Sequence, residues 1–584
     1  MEDYEMMCGI EIHQQLDTKK LFCSCDTTLH DEGFGNHYRK LRPTANEMGV
    51  IDRAALAQYE RHMSFRYQCC ESSCLVDLDE EPPHEVNNDA MDVALTFSSM
   101  LNADMIDEIH FMRKIVVDGS NTGGFQRTAL VSTGGEVVVN GKKISILSVC
   151  LEEDAARKIE TKGNEVTYRL DRLGFPLVEV ATGPDMRTPE EVMEVALRLG
   201  SLFRATKMVK RGIGTIREDL NISIPGGARI EIKGVQDLKM LPDFVRTEVN
   251  RQKMLLAIKD ILNKRGIEPI SSDVIDATEV FKDCPSKIIS SALKSKGVVL
   301  AVKLPGFAGV LNGDSGKLRL GSELAQRART HGVKGIFHSD ELPNYGIEQT
   351  YVDSLKSFLN ITEDNDAFVI CAAPEKTARS ALIATIERAN EAFEGVPEET
   401  RDPLPDGTSR YSRPLPGAAR MYPETDVPPT LVTKEKLTEI RNSMPEFPEE
   451  IEKRLVEQYG INAQQAHQML RESNDDLFVK LAGTYRSLSS VVATTLTNTY
   501  SELEREGVVT TKISDDTMLN IFDMLAHNKF AKEALPDIIR EVSKGTEPSK
   551  AAAKLGLESV DKDEAVKIIA DIVKSREDFI RSKG

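Results

Sequence analysis

The sequence predicts an α+β multidomain protein that ends in an all-α part. Three observations carry this prediction. Short β-type runs bounded by Gly, Asn and Asp alternate with amphipathic helices over residues 1–272, a compact mixed module fills 273–399, and helical periodicity dominates after Val432. A chain of 584 residues also exceeds what one hydrophobic core supports, so roughly three to five compact units are expected.

In the first region GIEIH, KIVVDG, EVVV, KISILSV, PLVEVAT and RIEIKG read as strands. Between them PEEVMEVALRLGSLF, residues 189–203, sets apolar residues at helical spacing behind a first turn rich in acids, and 242–265 forms a second long helix. The module at 273–399 runs through VVLAVKLPGFAG, SELAQRARTHGVKGIFH, VDSLKSFLNI and DAFVICAAP to a last helix, TARSALIATIERANEAF. The passage PLPDGTSRYSRPLPGAARMYPETDVPP follows; it is too rich in Pro and Gly for regular structure, yet dense in Arg, Tyr and acids, as ordered functional loops are. Residues from EKLTEIRNSM to LSSVVATTLTNTYSELERE read as amphipathic helices, and those from MLNIFDML onward as a separate small bundle.

Composition narrows the function. The net charge of −19 argues against broad salt-driven binding to nucleic acid, which needs clustered Lys and Arg, so any such contact is expected to be local and shape-specific. No apolar run approaches the roughly 18 residues that span a bilayer, and the N-terminus MEDYEMMCGIEIH is acidic where a secretory signal is basic. The expectation is a cytoplasmic protein with no membrane partner.

Several residues can carry chemistry. On the strand GIEIH, Glu11 and His13 leave the same face, as a metal pair would, although a hydrogen-bonded His beside a solvated Glu reads the same way. Acids recur in strand contexts: Glu152, Glu153 and Asp154 in LEEDA, Glu179 in PLVEVAT, Glu218 and Asp219 in REDLNISI, and Glu231 beside Lys233 in RIEIKG. An acid in mid-strand is costly unless paired or metal-bound, and several in one domain point to Mg²⁺, which takes oxygen ligands and substrate phosphate oxygens. The segment MRKIVVDGSNTGGFQRT joins Arg113, Lys114 and Arg127 to a loop with Ser120 and Asn121, whose backbone can cradle phosphate. No GxxxxGKS/T and no kinase signature is present, so any ATP site is of an unusual kind. No GxSxG elbow or other glutamine-hydrolysing nucleophile is evident.

Five of the nine cysteines, Cys23, Cys25, Cys69, Cys70 and Cys74, crowd near the start. Four of them, Cys23, Cys25, Cys74 and Cys70 (or Cys69), can hold Zn²⁺ tetrahedrally, or all can remain partly buried thiols; the spacing leaves both readings open.

Taken together, GIEIHQQLDTKKLFC, HFMRKIVVDGSNTGGFQRT, LEEDAARKI, DRLGFPLVEVATGPDMRTPEE, VKRGIGTIREDLNISI, RIEIKGVQ and GAARMYPETDVPP resemble the GatB/GatE family of tRNA-dependent amidotransferase subunits. The resemblance spans nearly all of 5–270 and 399–430, and DGSNTGGFQRT and RPLPGAARMYPETD are similar to the archaeal E-type. It implies an antiparallel-sheet cradle at 1–272 and 400–432, an aspartyl-tRNA synthetase-like α/β insertion at 273–399, a helical domain at 433–512 and a YqeY-like tail at 513–584, incomplete at RSKG. It implies an ATP- and Mg²⁺-dependent enzyme that phosphorylates the glutamyl group of glutamyl-tRNA(Gln) and amidates it with ammonia. Glu11, His13, Glu153 and Glu179 would hold the metal, with Lys114, Asp219 and Glu231 nearby. The implied partners are tRNA(Gln), contacted mainly after Val432, and an asparaginase-like D-type partner, in a heterotetramer of two D-type and two E-type chains. Alternatives are a tRNA adaptor without activity, and a bacterial B-type chain that also serves tRNA(Asn).

Overall fold

A computed structural model describes residues 6–45, 48–271, 273–312, 319–417, 420–472, 474–510, 513–557 and 562–575. The expected incomplete end of the tail lies outside the described residues. The chain divides into two compact units, Met1–Met444 and Pro445–Gly584.

The first unit is built on one large sheet. Its ten main strands, in chain order, are β1 (Met7–Gln15), β2 (Phe111–Ile115), β3 (Phe125–Thr133), β4 (Lys142–Glu153), β5 (Pro176–Thr182), β6 (Ile216–Ser223), β7 (Ile230–Val235), β8 (Glu399–Pro403), β9 (Ser409–Pro414) and β10 (Met421–Pro423). They lie in the order β9-β8-β7-β6-β1-β5-β4-β3-β2-β10, all antiparallel except β7 and β8. Two short strands, Asp104–Met105 and Glu136–Val139, pair off this path onto β3 and β4. The Pro-rich passage expected to lack regular structure thus supplies two strands, β9 and β10, and the end of a third, β8. Pro403, Pro414 and Pro423 sit at strand ends, and β9 and β10 are the two termini of the path, where a missing N–H costs no ladder bond.

Period-2 alternation makes the sheet two-faced. Cys8, Ile10, Ile12, Val149, Leu151, Val178, Val180, Leu220, Ile222, Ile230 and Ile232 are buried on one side. Helices α1 (Asn88–Met100), α2 (Pro189–Ala205) and α3 (Leu241–Lys264) supply the apolar surface of this layer. Asn87 and Thr188 cap the first two by accepting from Ala90 N and Glu191 N, and Phe97 of α1 stacks on Phe203 of α2 with ring centroids 3.7 Å apart. The other face carries the polar residues.

Geometry forces the sheet to curl. Ten flat strands would place β9 and β10 roughly 43 Å apart at about 4.8 Å per strand, yet the seven steps from Pro414 to Met421 reach at most about 25 Å. Arg420, in that connection, feels the charges of both Glu152 on β4 and Glu231 on β7, so the polar face is the concave one.

A smaller sheet of Phe34–Arg39, Ser64–Cys69, Arg157–Lys162 and Glu165–Arg169 braces the 116–124 loop: Tyr67 donates to Gly119 O at 2.8 Å, and Gly119, at φ +88°, packs where a Cβ would strike Phe65. Within 273–399, Ile275–Asp276, Val298–Leu304, Ala367–Ala373 and Phe337–His338 form a four-stranded antiparallel sheet. Buried Glu323 of this module meets Arg251 of α3 at 2.8 Å and Arg401 of β8 at 3.2 Å. The second unit is helical throughout its described residues, and one core runs continuously from Ile451 to Ala552 across the expected boundary at 512.

Candidate functional site

The sheet register sets His13 of β1 opposite Glu179 of β5, and Glu11 opposite Asp219 of β6. Side chains from strands across the sheet, β2 through β8, therefore meet on the concave face in two neighbouring triads. In the first, His13 Nε2 lies 2.9 Å from Glu179 Oε2 and 3.9 Å from Glu152 Oε2. Lys114 on β2 reaches Glu152 at 3.1 Å and Glu179 at 3.7 Å, while Thr128 and Gln126 of β3 donate to the two oxygens of Glu152 at 2.6 and 3.0 Å. In the second, Glu11, Asp219 and Glu231 converge; Lys233 contacts Asp219 at 2.6 Å and Glu231 at 3.0 Å, Asn221 donates to Glu11 at 3.0 Å, and Thr400 donates to Glu231 at 2.8 Å. The ligand atoms within each triad lie within 4.8 Å of one another.

Electrostatics couple the two triads. Burial raises the Glu11 carboxyl to about 7, and the nearby Glu179 charge adds to the shift. Burial opposes the charge on His13, but Glu179 outweighs it and lifts the imidazole to about 9. Against the same desolvation, Lys114 and His13 hold Glu179 well below the usual carboxylate range, and Lys233 holds Asp219 below it. Crowded acids held ionised by cations suit divalent-metal and phosphate chemistry.

Glu153 does not join this face. It accepts from Arg127 N at 2.9 Å on the opposite side of the sheet, because successive side chains on a strand alternate. Its neighbour Glu152 takes the position expected of it. The same alternation separates the expected phosphate-binding residues: Lys114 points to the triads, whereas Arg113 and Arg127 turn away and are neutralised by Glu424 at 2.6 and 2.7 Å. Ser120 is tied to Asp118 Oδ1, and buried Asn121 sits in a crevice with Phe22, Asp79 and Arg127. The five are thus not gathered around one ligand position.

The cysteines converge in part. Cys23, Cys25 and Cys74 bring their sulfurs together with a carboxylate oxygen of Asp77 within 4.8 Å. Cys70 is absent from this group; its Sγ lies 3.5 Å from Ser72 Oγ, and Asp77 stands in its place. A hydrogen bond from the Cys23 thiol draws the Cys74 thiol down to about 5, and burial raises the Asp77 carboxyl to about 7 despite the Lys20 ammonium 3.0 Å away. Three sulfurs and an oxygen, one sulfur already poised as thiolate, fit a tetrahedral Zn²⁺.

Two residues outside the expected ligand set complete the triads, Glu152 and Lys233, and Arg420 stands near enough to feel Glu152 and Glu231. The motifs LEEDA, RIEIKG and RPLPGAARMYPETD contain them, but only the register shows which members face inward.

The family profile described as the GatB/GatE catalytic domain matches residues 6–438. The chain belongs to the GatB/GatE family. A second profile of this family, described as the GatB domain, matches residues 476–582. The chain is similar over its full length to the E-type chain of the glutamyl-tRNA(Gln) amidotransferase of Methanocaldococcus jannaschii, with 47% identity covering 94% of that protein. It is 46% identical to the protein of the same name from Pyrococcus furiosus, covering 93% of it. Both triads lie within the span matched by the GatB/GatE catalytic profile.

Proposed function

We propose that the chain is the E-type component of a glutamyl-tRNA(Gln) amidotransferase, which phosphorylates the glutamyl side chain of glutamyl-tRNA(Gln) with ATP and then admits ammonia to give glutaminyl-tRNA(Gln). The observation that carries this reading is the pair of acidic triads, each with its own lysine, on the concave face of the large sheet within the GatB/GatE catalytic span. Similarity along the full chain to E-type relatives, together with the mixed module at 273–399, favours the E-type over the B-type.

The chemistry joins two anions, a carboxylate and a polyphosphate, so charge crowding is the barrier to remove. His13, Glu152 and Glu179 would hold one Mg²⁺, and Glu11, Asp219 and Glu231 a second. When bound, the metal would neutralise phosphate oxygens as a Lewis acid. Lys114 and Lys233 stand beside the triads and offset negative charge on the attacking carboxylate and the transferred phosphoryl group. His13, Glu152 and Glu179 are largely buried, which limits the water that would hydrolyse an acyl phosphate. Cys23, Cys25, Cys74 and Asp77 would hold a structural Zn²⁺.

The sequence shows no glutamine-hydrolysing nucleophile, which supports a separate ammonia source: an asparaginase-like D-type partner in a cytoplasmic assembly of two D-type and two E-type chains. No helix among the described residues is long and apolar enough to cross a membrane. The test is direct. The isolated chain with ATP, glutamyl-tRNA(Gln) and an ammonium salt should form glutaminyl-tRNA, and should release no glutamate from glutamine; glutaminase activity in the pure chain would sink the division of labour.

A further inference from the structure

The roof of the trough carries two guanidinium groups that make no direct ion pair among the described residues. Arg413 is next to last in β9 and lies opposite Thr400 of β8, whose hydroxyl donates to Glu231, while Arg420 directly precedes β10 and feels the charges of Glu152 and Glu231, so both belong to the concave face. They lie near enough to repel each other, and Arg413 also repels Arg61. Among the described residues neither Arg413 nor Arg420 makes an ion pair: Arg420 donates only to Ile115 O at 3.4 Å, and the buried Nε of Arg413 has no partner.

The nearby carboxylates direct their hydrogen bonds to other groups. Asp52 accepts from Ala55 N at 2.9 Å and Gly417 N at 2.7 Å, and Asp118 accepts from the backbone and hydroxyl of Ser120. Three fully buried guanidiniums elsewhere are paired: Arg251 and Arg401 both meet Glu323 and Glu399, and Arg388 meets Glu323. Arg413 and Arg420 thus form a cationic pair that makes no ion pair of its own among the described residues, with acids attracting Arg420 only at longer range, and this layout suits an anionic ligand that bridges the two.

The charge layout identifies its chemistry. Below lies a floor of five acids and His13 that calls for divalent cations, and above lie two planar forks that match phosphate oxygens two at a time. A polyphosphate carrying bridging cations satisfies both layers at once, whereas an RNA phosphodiester needs only the roof.

We infer that Arg413 and Arg420 clamp the phosphate chain of the nucleoside triphosphate against the two acidic triads; this rests on the ATP-using reading above. The clamp gives the nucleotide a site in a chain without a phosphate-binding loop signature.

Equilibrium binding of MgATP to the full chain tests this, with R413Q, R420Q and the double variant, and with R413K and R420K to keep the stem packing and charge. Each Gln variant should raise the Kd for MgATP about tenfold or more and the double variant further, the Lys variants should fall between, and inorganic tripolyphosphate should compete with ATP only where the arginines remain. Affinity for glutamyl-tRNA(Gln) should stay within about threefold of wild type. Unchanged MgATP affinity in folded variants overturns the clamp, as does loss of tRNA affinity with ATP binding kept, which assigns the arginines to RNA. A wild-type chain that binds no ATP would instead overturn the underlying reading.

Discussion

Glu152 and Glu153 are adjacent in the sequence and serve opposite faces of the large sheet: Glu152 lies 3.9 Å from His13 Nε2 in the trough, and Glu153 accepts from Arg127 N behind it. The two carboxylates can therefore be separated by mutation. Glu152→Gln should lower ATP-dependent formation of glutaminyl-tRNA by about two orders of magnitude or more, as for a lost charge at the reacting centre. Glu153→Gln should keep the rate within about tenfold and act mainly on thermal stability. Steady-state kinetics of both variants, normalised to folded protein, decide the matter; equal losses would contradict the assignment.

The cysteine cluster predicts metal content. Purified protein should carry about one zinc per chain, and Cys74→Ser should lose it together with several °C of melting temperature. Cys70→Ser should retain it, because Cys70 faces Ser72 and not the cluster. Elemental analysis reads both outcomes, and zinc lost equally from the two variants would restore Cys70 as a ligand.

Glu218 is fully buried and no other described residue hydrogen-bonds its oxygens, and burial, with the Asp219 charge adding, pushes its carboxyl up to about 8. The unfolded chain loses this proton near 4.5, so between about 4.5 and 8 the folded state binds more protons and stability falls as pH rises. Glu218→Leu removes that dependence. Its melting temperature relative to wild type should rise by several °C between pH 5 and pH 9, and a constant difference would mean that the carboxyl is already ionised at pH 5.

Glu323 ties the 273–399 module to α3 through Arg251 and to the large sheet through Arg401, and it also meets Arg388 of its own module. Removing one partner leaves buried cations uncompensated, which costs about 3–5 kcal/mol. Glu323→Gln should show this in urea unfolding followed by fluorescence or circular dichroism, while exposed pairs such as Lys453 and Glu457 should give less than about 1 kcal/mol. Similar losses at both pairs would remove the special role of the buried network.

The helical unit from Pro445 onward is proposed to bind the tRNA body. Its removal should raise the KM for glutamyl-tRNA(Gln) by about an order of magnitude or more and leave MgATP binding intact. An unchanged KM would reassign the unit to docking of the partner chain.

The α+β character of the first region and the helical C-terminal part were legible because strand and helix periods differ and the segments are long enough to show them. Glu11, His13, Glu179, Asp219 and Glu231 were legible as site residues because acids within apolar strands are costly without a purpose. Glu152 was not separable from Glu153, since a one-residue choice of register exchanges the faces and only the pairing to Leu177 and Thr128 fixes it. Arg113 and Arg127 looked like phosphate ligands until the structure brought Glu424, some 300 positions away, against both. The strands at 399–423 were hidden because Pro and Gly content obscures strands near a sheet edge, and with them went the positions of Arg413 and Arg420.

The central claim is that the concave face with His13, Glu152 and Glu179 is where the glutamyl group is phosphorylated. The measurement that tests it most directly is transfer of label from [γ-³²P]ATP to glutamyl-tRNA(Gln) in the absence of ammonia, for wild type, His13→Ala and Glu179→Ala, with tRNA affinity measured on the same preparations. The account predicts labelled glutamyl phosphate for wild type, none for either variant, and tRNA affinities within a few-fold of each other. Labelling at the wild-type rate in either variant would contradict it.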